Sequence, residues 1–201
     1  MVLRPDLAAA LFLPAGLGLL AQVLQPHPLP HRILALALML ISVEQATMAR
    51  VDLRQIALVE RGLTLHAHGQ DANLARFRRV VIATIGGELA GFYLAATGYL
   101  GGGVLVILTS LVGFNVAAGV RLDPAAAEPI QPAGMGSRLD VLAIDGVAMG
   151  LGILWIAHLA RGWVAGGLLA LVLVYAASKL MTYGANWLKE GGWFFPGYRQ
   201  E

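Results

Sequence analysis

A helix needs about 20 mainly apolar residues to cross the hydrocarbon core of a bilayer. Six stretches of this sequence meet that requirement: Leu7–Leu24, Ile33–Ala49, Val80–Leu100, Gly103–Val120, Val141–Ala160 and Trp163–Tyr183. Each is bounded by charge or turn residues, so the pattern predicts an all-α, polytopic integral membrane protein built as one six-helix bundle over 1–201. Composition agrees. Of 201 residues, 58% are hydrophobic and 13% charged, where a soluble domain averages roughly 45–50% and about 25%. That excludes an ordinary water-soluble globule and a disordered tail. A net charge of only +2 is too small for a phosphate-binding surface, so nucleic acid is not an expected partner. The lack of cysteine excludes disulfides, thiol catalysis and thiolate metal sites.

The first stretch contains Pro14. Proline is tolerated in a membrane helix where neighbours satisfy the freed carbonyl, and a kinked span is the expectation. A cleaved signal peptide competes with it, but no A-x-A-like site follows Leu24.

Charge orients the bundle. With the N-terminus inside, cytoplasmic segments collect twelve of the fourteen Lys and Arg, leaving Arg32 and Arg161 outside. This positive-inside bias places both termini in the cytoplasm of a bacterial inner or photosynthetic membrane. Trp155 and Trp163 fall near the outer ends of spans five and six, whereas Trp187 and Trp193 follow the inner end of span six. Amphipathic rings settle at headgroup level, so all four read as interface anchors, and the tail 184–201 as lying along the inner surface or docking a partner.

Two cytoplasmic loops are longer than the rest. The basic loop Arg50–Arg79 mixes arginines with Val51, Leu53, Ile56, Leu58, Val59 and Leu63, which suits a helical extension of span two or a helix in the membrane interface. Its arginines suit anionic headgroups or a partner protein. The loop Arg121–Asp140 is Pro/Gly-rich and reads as a connector without periodicity.

Intramembrane acids are costly and usually face the bundle interior. Three are present: Glu44, Glu88 and Asp145. At a rise of about 1.5 Å per residue, Glu88 lies roughly 13 Å, Glu44 about 9 Å and Asp145 about 8 Å from the basic side. Asn115 and Lys179 fall at similar depth, and Gln45 adjoins Glu44. Five helices thus send a polar group to one level. Such a group can serve as interhelical glue, with Lys179 pairing an acid, or as a site for a proton, a cation or a cationic solute. Three acids against one lysine favour positive charge. Gly87–Gly91 and Gly146–Gly150 put G-x-x-x-G spacing beside Glu88 and Asp145, and Gly162–Gly166 repeats it. That spacing lets helices approach closely and predicts spans three and five near the bundle centre. A shared basic start, apolar run and acid in Arg79–Glu88 and Arg138–Asp145 hints at a two-helix repeat.

Other chemistry is scarce. His27, His31 and His158 lie on the outer side, where the prolines around the first two work against paired presentation of their imidazoles. His66-Ala-His68 lacks a third ligand. No metal site, bis-histidine haem or other cofactor is predicted, while pigment and lipid binding stay open. Asp145-Gly146 resembles the opening of the membrane phospholipid-transferase signature, whose remaining residues are missing. No G-x-S-x-G, H-E-x-x-H or phosphate-binding glycine loop occurs.

Two functions follow. One is a small transporter or substrate-binding transport subunit using the inner-half acids. The other is a non-catalytic accessory or assembly subunit docking through Arg50–Arg79 and Trp187–Glu201. The size and six-span layout resemble the substrate-binding subunits of energy-coupling-factor importers, on layout alone.

Overall fold

The computed structural model describes residues 4–65 and 71–190, with side chains described up to 177 except those of 64, 65, 135 and 137. It contains six α-helices: α1 (Pro5–Leu24), α2 (Leu29–Leu65), α3 (Ala72–Ala96), α4 (Leu100–Ala117), α5 (Leu139–Ile156) and α6 (Arg161–Glu190). Five of them, α1 to α5, are long and apolar enough to cross a membrane, and the apolar run of α6 among the described residues is the shorter Arg161–Ala177. These helices point to a membrane protein.

Local signals account for the helix ends. Pro5 and Asp6 open α1, where proline lacks only an orphan donor and the carboxylate meets the positive end of the helix dipole. The helix then runs on through Pro14, whose ring is exposed. Asp71 caps α3, accepting from the backbone N–H of Asn73 at 2.7 Å and of Leu74 at 3.2 Å. Gly98 ends the helix pair's first arm with φ +100°, a conformation that costs a side-chain-bearing residue dearly. Leu100, expected at the end of span three, therefore opens α4.

The helices close into a ring in the order α1, α2, α6, α5, α4, α3, with α2 also reaching α3 and α4 across the middle. The tightest seam joins α3 to α4. A methyl group added at Gly91 would sit 2.6 Å from Ile107 Cγ1 and 2.9 Å from the Gly103 carbonyl. Gly87 meets Ser110 in the same way. The first G-x-x-x-G is thus a packing surface, but toward α4. Around Gly146, Gly150, Gly162 and Gly166 there is open space, and α4 stands between α3 and α5. The second and third G-x-x-x-G spacings are thus not packing surfaces within the described residues, and α3 and α5 are members of the ring rather than its centre.

The described parts of the basic loop are largely helical, 50–65 continuing α2 and 72–79 opening α3. At about 1.5 Å per residue α2 is roughly 55 Å long, well beyond a hydrocarbon core of about 30 Å. Its far end pairs with the start of α3. Leu53, Ile56 and Val59 on α2 and Leu74 and Phe77 on α3 are buried, so the apolar stripe of the loop is used inside the chain rather than against lipid. Arg78 Nη1 lies 2.9 Å from Glu60 Oε1. Asp6 on α1 receives Arg50 at 2.7 Å and Arg54 at 3.3 Å.

The connector 121–140 is more ordered than its composition predicts. Val120–Leu122 (β1) pairs antiparallel with Ile130–Pro132 (β2), Arg121 opposite Gln131, and a 3₁₀ turn at Met135–Arg138 follows. Alternation explains the strand: Val120 and Leu122 are buried while Arg121 is exposed. Arg138 ties this hairpin down, donating to the Val120 carbonyl at 3.2 Å and lying over the Phe114 ring. Phe114 in turn meets Phe77 edge-on, 6.0 Å between centroids.

At the opposite end, Gln22 Nε2 donates to the Ala96 carbonyl at 3.2 Å and Arg32 Nε to the Val23 carbonyl at 2.7 Å. Trp155, expected as an interface anchor, is instead buried at 7% exposure beneath Arg161 and against Gly101. The missing side chain of Gly101 makes room for the indole. Trp163 is 88% exposed. The side chain of Trp187 and all of Trp193 lie outside the described residues, as do His66, His68 and the tail beyond Glu190.

Candidate functional site

A cavity of about 400 Å³ lies between α2, α4, α5 and α6, within the range of small-molecule pockets, ~300–1,000 Å³. Glu44 and Gln45 reach it from α2, Asn115 from α4 and Asp145 from α5. Three of the sequence candidates, Glu44, Asn115 and Asp145, thus share one wall-to-wall space. Asp140 at the start of α5 and Tyr175 on α6 join them.

Asn115 and Asp145 touch directly. Asn115 Nδ2 donates to Asp145 Oδ2 at 3.3 Å, and Asp145 is 7% exposed. Among the described residues no donor engages its other oxygen, Oδ1. Gln45 Nε2 donates to Glu44 Oε2 at 3.3 Å, so each of the two acids has a neutral amide beside it. No Lys, Arg or His is among the described lining residues. Such a set of acceptors favours a positively charged group.

Glu88 is placed differently. It is buried at 2% exposure on α3, a helix that contributes nothing to the cavity lining. The count along the helix puts it a few ångströms deeper than the other acids, and its face of α3 does not reach the cavity. Lys179 falls one turn beyond Tyr175 on α6, and its side chain lies outside the described residues.

Two lining residues escaped the sequence. Asp140 is read from the sequence only as the end of the loop Arg121–Asp140, and Tyr175 is one residue of an apolar span. Their signal was the spacing of Asp140 to Asp145 and of Tyr175 to Lys179, which puts each near a residue already singled out. The histidines gave a further surprise: the rings of His27 and His31 lie 4.3 Å apart, with Gln25 and Gln22 as their respective partners. The short Pro-flanked turn brings them together despite its prolines. Among the described residues, no group of three or more His, Asp or Glu could hold a metal ion.

Known proteins supply no analogy for this arrangement: no family model, no curated protein and no solved structure matches the chain.

Proposed function

We propose that this chain is a small membrane transporter, or the substrate-binding subunit of one, which binds a proton, a cation or a cationic solute. The observation that carries the reading is the cavity itself: Glu44, Asn115 and Asp145, from three helices, face one space with no described basic residue beside them. In this reading α6 completes a six-span bundle with both termini on the cytoplasmic side of a bacterial inner membrane, because the arginine-rich end would face the cytoplasm. The acid-lined part of the cavity then lies in the cytoplasmic half, and lipid surrounds the exposed apolar faces. Glu88, buried on α3 and not among the lining residues, is in this reading not a ligand to the cavity's occupant.

The test is flux in reconstituted liposomes, followed with an internal pH dye and with labelled cations. Asp145→Asn and Glu44→Gln should remove flux while the purified proteins keep the parent's unfolding temperature. Normal flux in both variants overturns the proposal.

One observation favours the accessory-subunit reading instead. Gly146 and Gly150 on α5, and Gly162 and Gly166 on α6, open onto empty space beside exposed Val147 and Trp163, a surface on which another protein's helix can approach closely. Co-purification with a defined complex in mild detergent, lost on Gly146→Leu/Gly150→Leu, would favour it. Isolation of the free chain alone would count against it.

A further inference from the structure

The polarity of the cavity is not uniform along the bundle axis. On α2 the lining residues run from Leu34 to Glu44, on α4 from Val104 to Asn115, and on α6 from Leu168 to Tyr175. In every case the aliphatic residues come at the opposite end of the bundle and the polar ones at the basic end. Antiparallel α5 brings Asp140 and Asp145 to the basic end, with Val141 and Ile144 between them, and Ala148 last. Three helices therefore agree on one gradient, and both acids of α5 stand at its polar end. Seven to ten residues separate its two ends on α6 and α2, or roughly 10–15 Å at the helical rise.

Such a space selects against most occupants of the classes considered above. A bare metal ion seeks six or more oxygens around it, and would leave the long aliphatic part empty. An acyl chain would fill that part but leave the Asp145 carboxylate facing hydrocarbon, which is costly. An anion would meet the acids at the polar end, where no Lys, Arg or His is among the described lining residues. A molecule with one ammonium group and an elongated apolar body answers both ends at once. Its nitrogen would donate to Asp145 Oδ1, the oxygen that Asn115 leaves open, with Glu44 across the cavity. Its body would lie between α2, α4 and α6.

From this gradient we infer that the cavity binds an amphiphilic organic monocation, an amine carrying an aryl or alkyl body, with the charge at the Asp145 end. The inference rests on the reading of the cavity as the binding site and narrows its ligand to one chemical class.

Calorimetric titration of the full chain in zwitterionic nanodiscs tests it, with empty nanodiscs as the baseline. The probe is 4-phenylbutylamine, compared with 4-phenylbutanol, 4-phenylbutyrate and sodium chloride. The amine should saturate, and the alcohol, the carboxylate and sodium should not. Asp145→Asn should weaken the amine about tenfold or more, the loss expected for one hydrogen bond to a charged group. Glu44→Gln provides a second variant should the first unfold. Equal binding of the alcohol or carboxylate, or amine binding indifferent to both substitutions, overturns the inference. If the amine fails to bind yet Asp145→Asn still abolishes proton or sodium flux, this ligand class falls and the transport reading stands. If flux is also indifferent to Asp145, both fall.

Discussion

Asn115 and Asp145, thirty positions apart in sequence, are joined by a 3.3 Å hydrogen bond across the boundary between α4 and α5. The amide holds one carboxylate oxygen of a residue that lines the cavity. Asn115→Ala should therefore leave the charge in place but lose its orientation. We expect about a fivefold to tenfold loss in cation affinity, the scale of a bond worth roughly 1 kcal/mol, with little change in unfolding temperature. Calorimetric titration beside a thermal melt checks both, and unchanged affinity would remove Asn115 from the site.

The glycines separate into packed and open sets, and a methyl group should distinguish them. Gly91→Ala drives a carbon to 2.6 Å from Ile107 and should cost about 1–3 kcal/mol, as overpacking does. Gly146→Ala enters open space and should be neutral, or stabilising by up to ~1 kcal/mol through helix propensity. Unfolding temperatures measured in one detergent compare the two. A larger loss at Gly146 than at Gly91 would contradict the α3–α4 seam.

Neighbouring residues on α3 should differ sharply. Phe77 is buried against Phe114, so Phe77→Ala should cost roughly 3–5 kcal/mol. Arg78 is half-exposed in its pair with Glu60, and Arg78→Ala should cost about 1 kcal/mol or less. Unfolding temperature in detergent should fall markedly in the first variant and barely change in the second. The reverse order would mean that charge rather than apolar packing holds the extension of α2.

Trp155 and Trp163 should report different surroundings. In variants retaining one tryptophan each, brominated lipid should quench Trp163 strongly and Trp155 weakly, because the first is 88% and the second 7% exposed. Equal quenching would place Trp155 at the lipid interface after all.

The natural lack of cysteine makes the topology directly testable. Arg76→Cys, at the basic end, should react with a membrane-impermeant maleimide only from the cytoplasmic side. Tyr99→Cys, in the turn between α3 and α4, should react only from the other side. Labelling of both from the same side would overturn the orientation.

Much of this was legible in the amino-acid sequence because helical rise is fixed. Counting from Arg50, Arg79 and Asp140 gives the depth of Glu44, Glu88 and Asp145 without any knowledge of neighbours, and the apolar lengths give the helices. Even so, Leu100 changed helix, because Gly98 makes the turn, and the Pro/Gly-rich connector contained a hairpin whose only signal was the alternation at Val120 and Leu122. Rotation about each helix axis is another matter. Glu88 lies in the same half of its helix as Asp145 does yet away from the cavity, Trp155 turns inward onto Gly101, and the Gly146–Gly150 face turns outward. No periodicity on a nearly all-apolar helix determines which face meets which partner, since lipid and protein interior look alike to a leucine. That choice is made only when six helices pack as a ring and the close approach of Gly91 to Gly103 decides which sides are left to line a cavity.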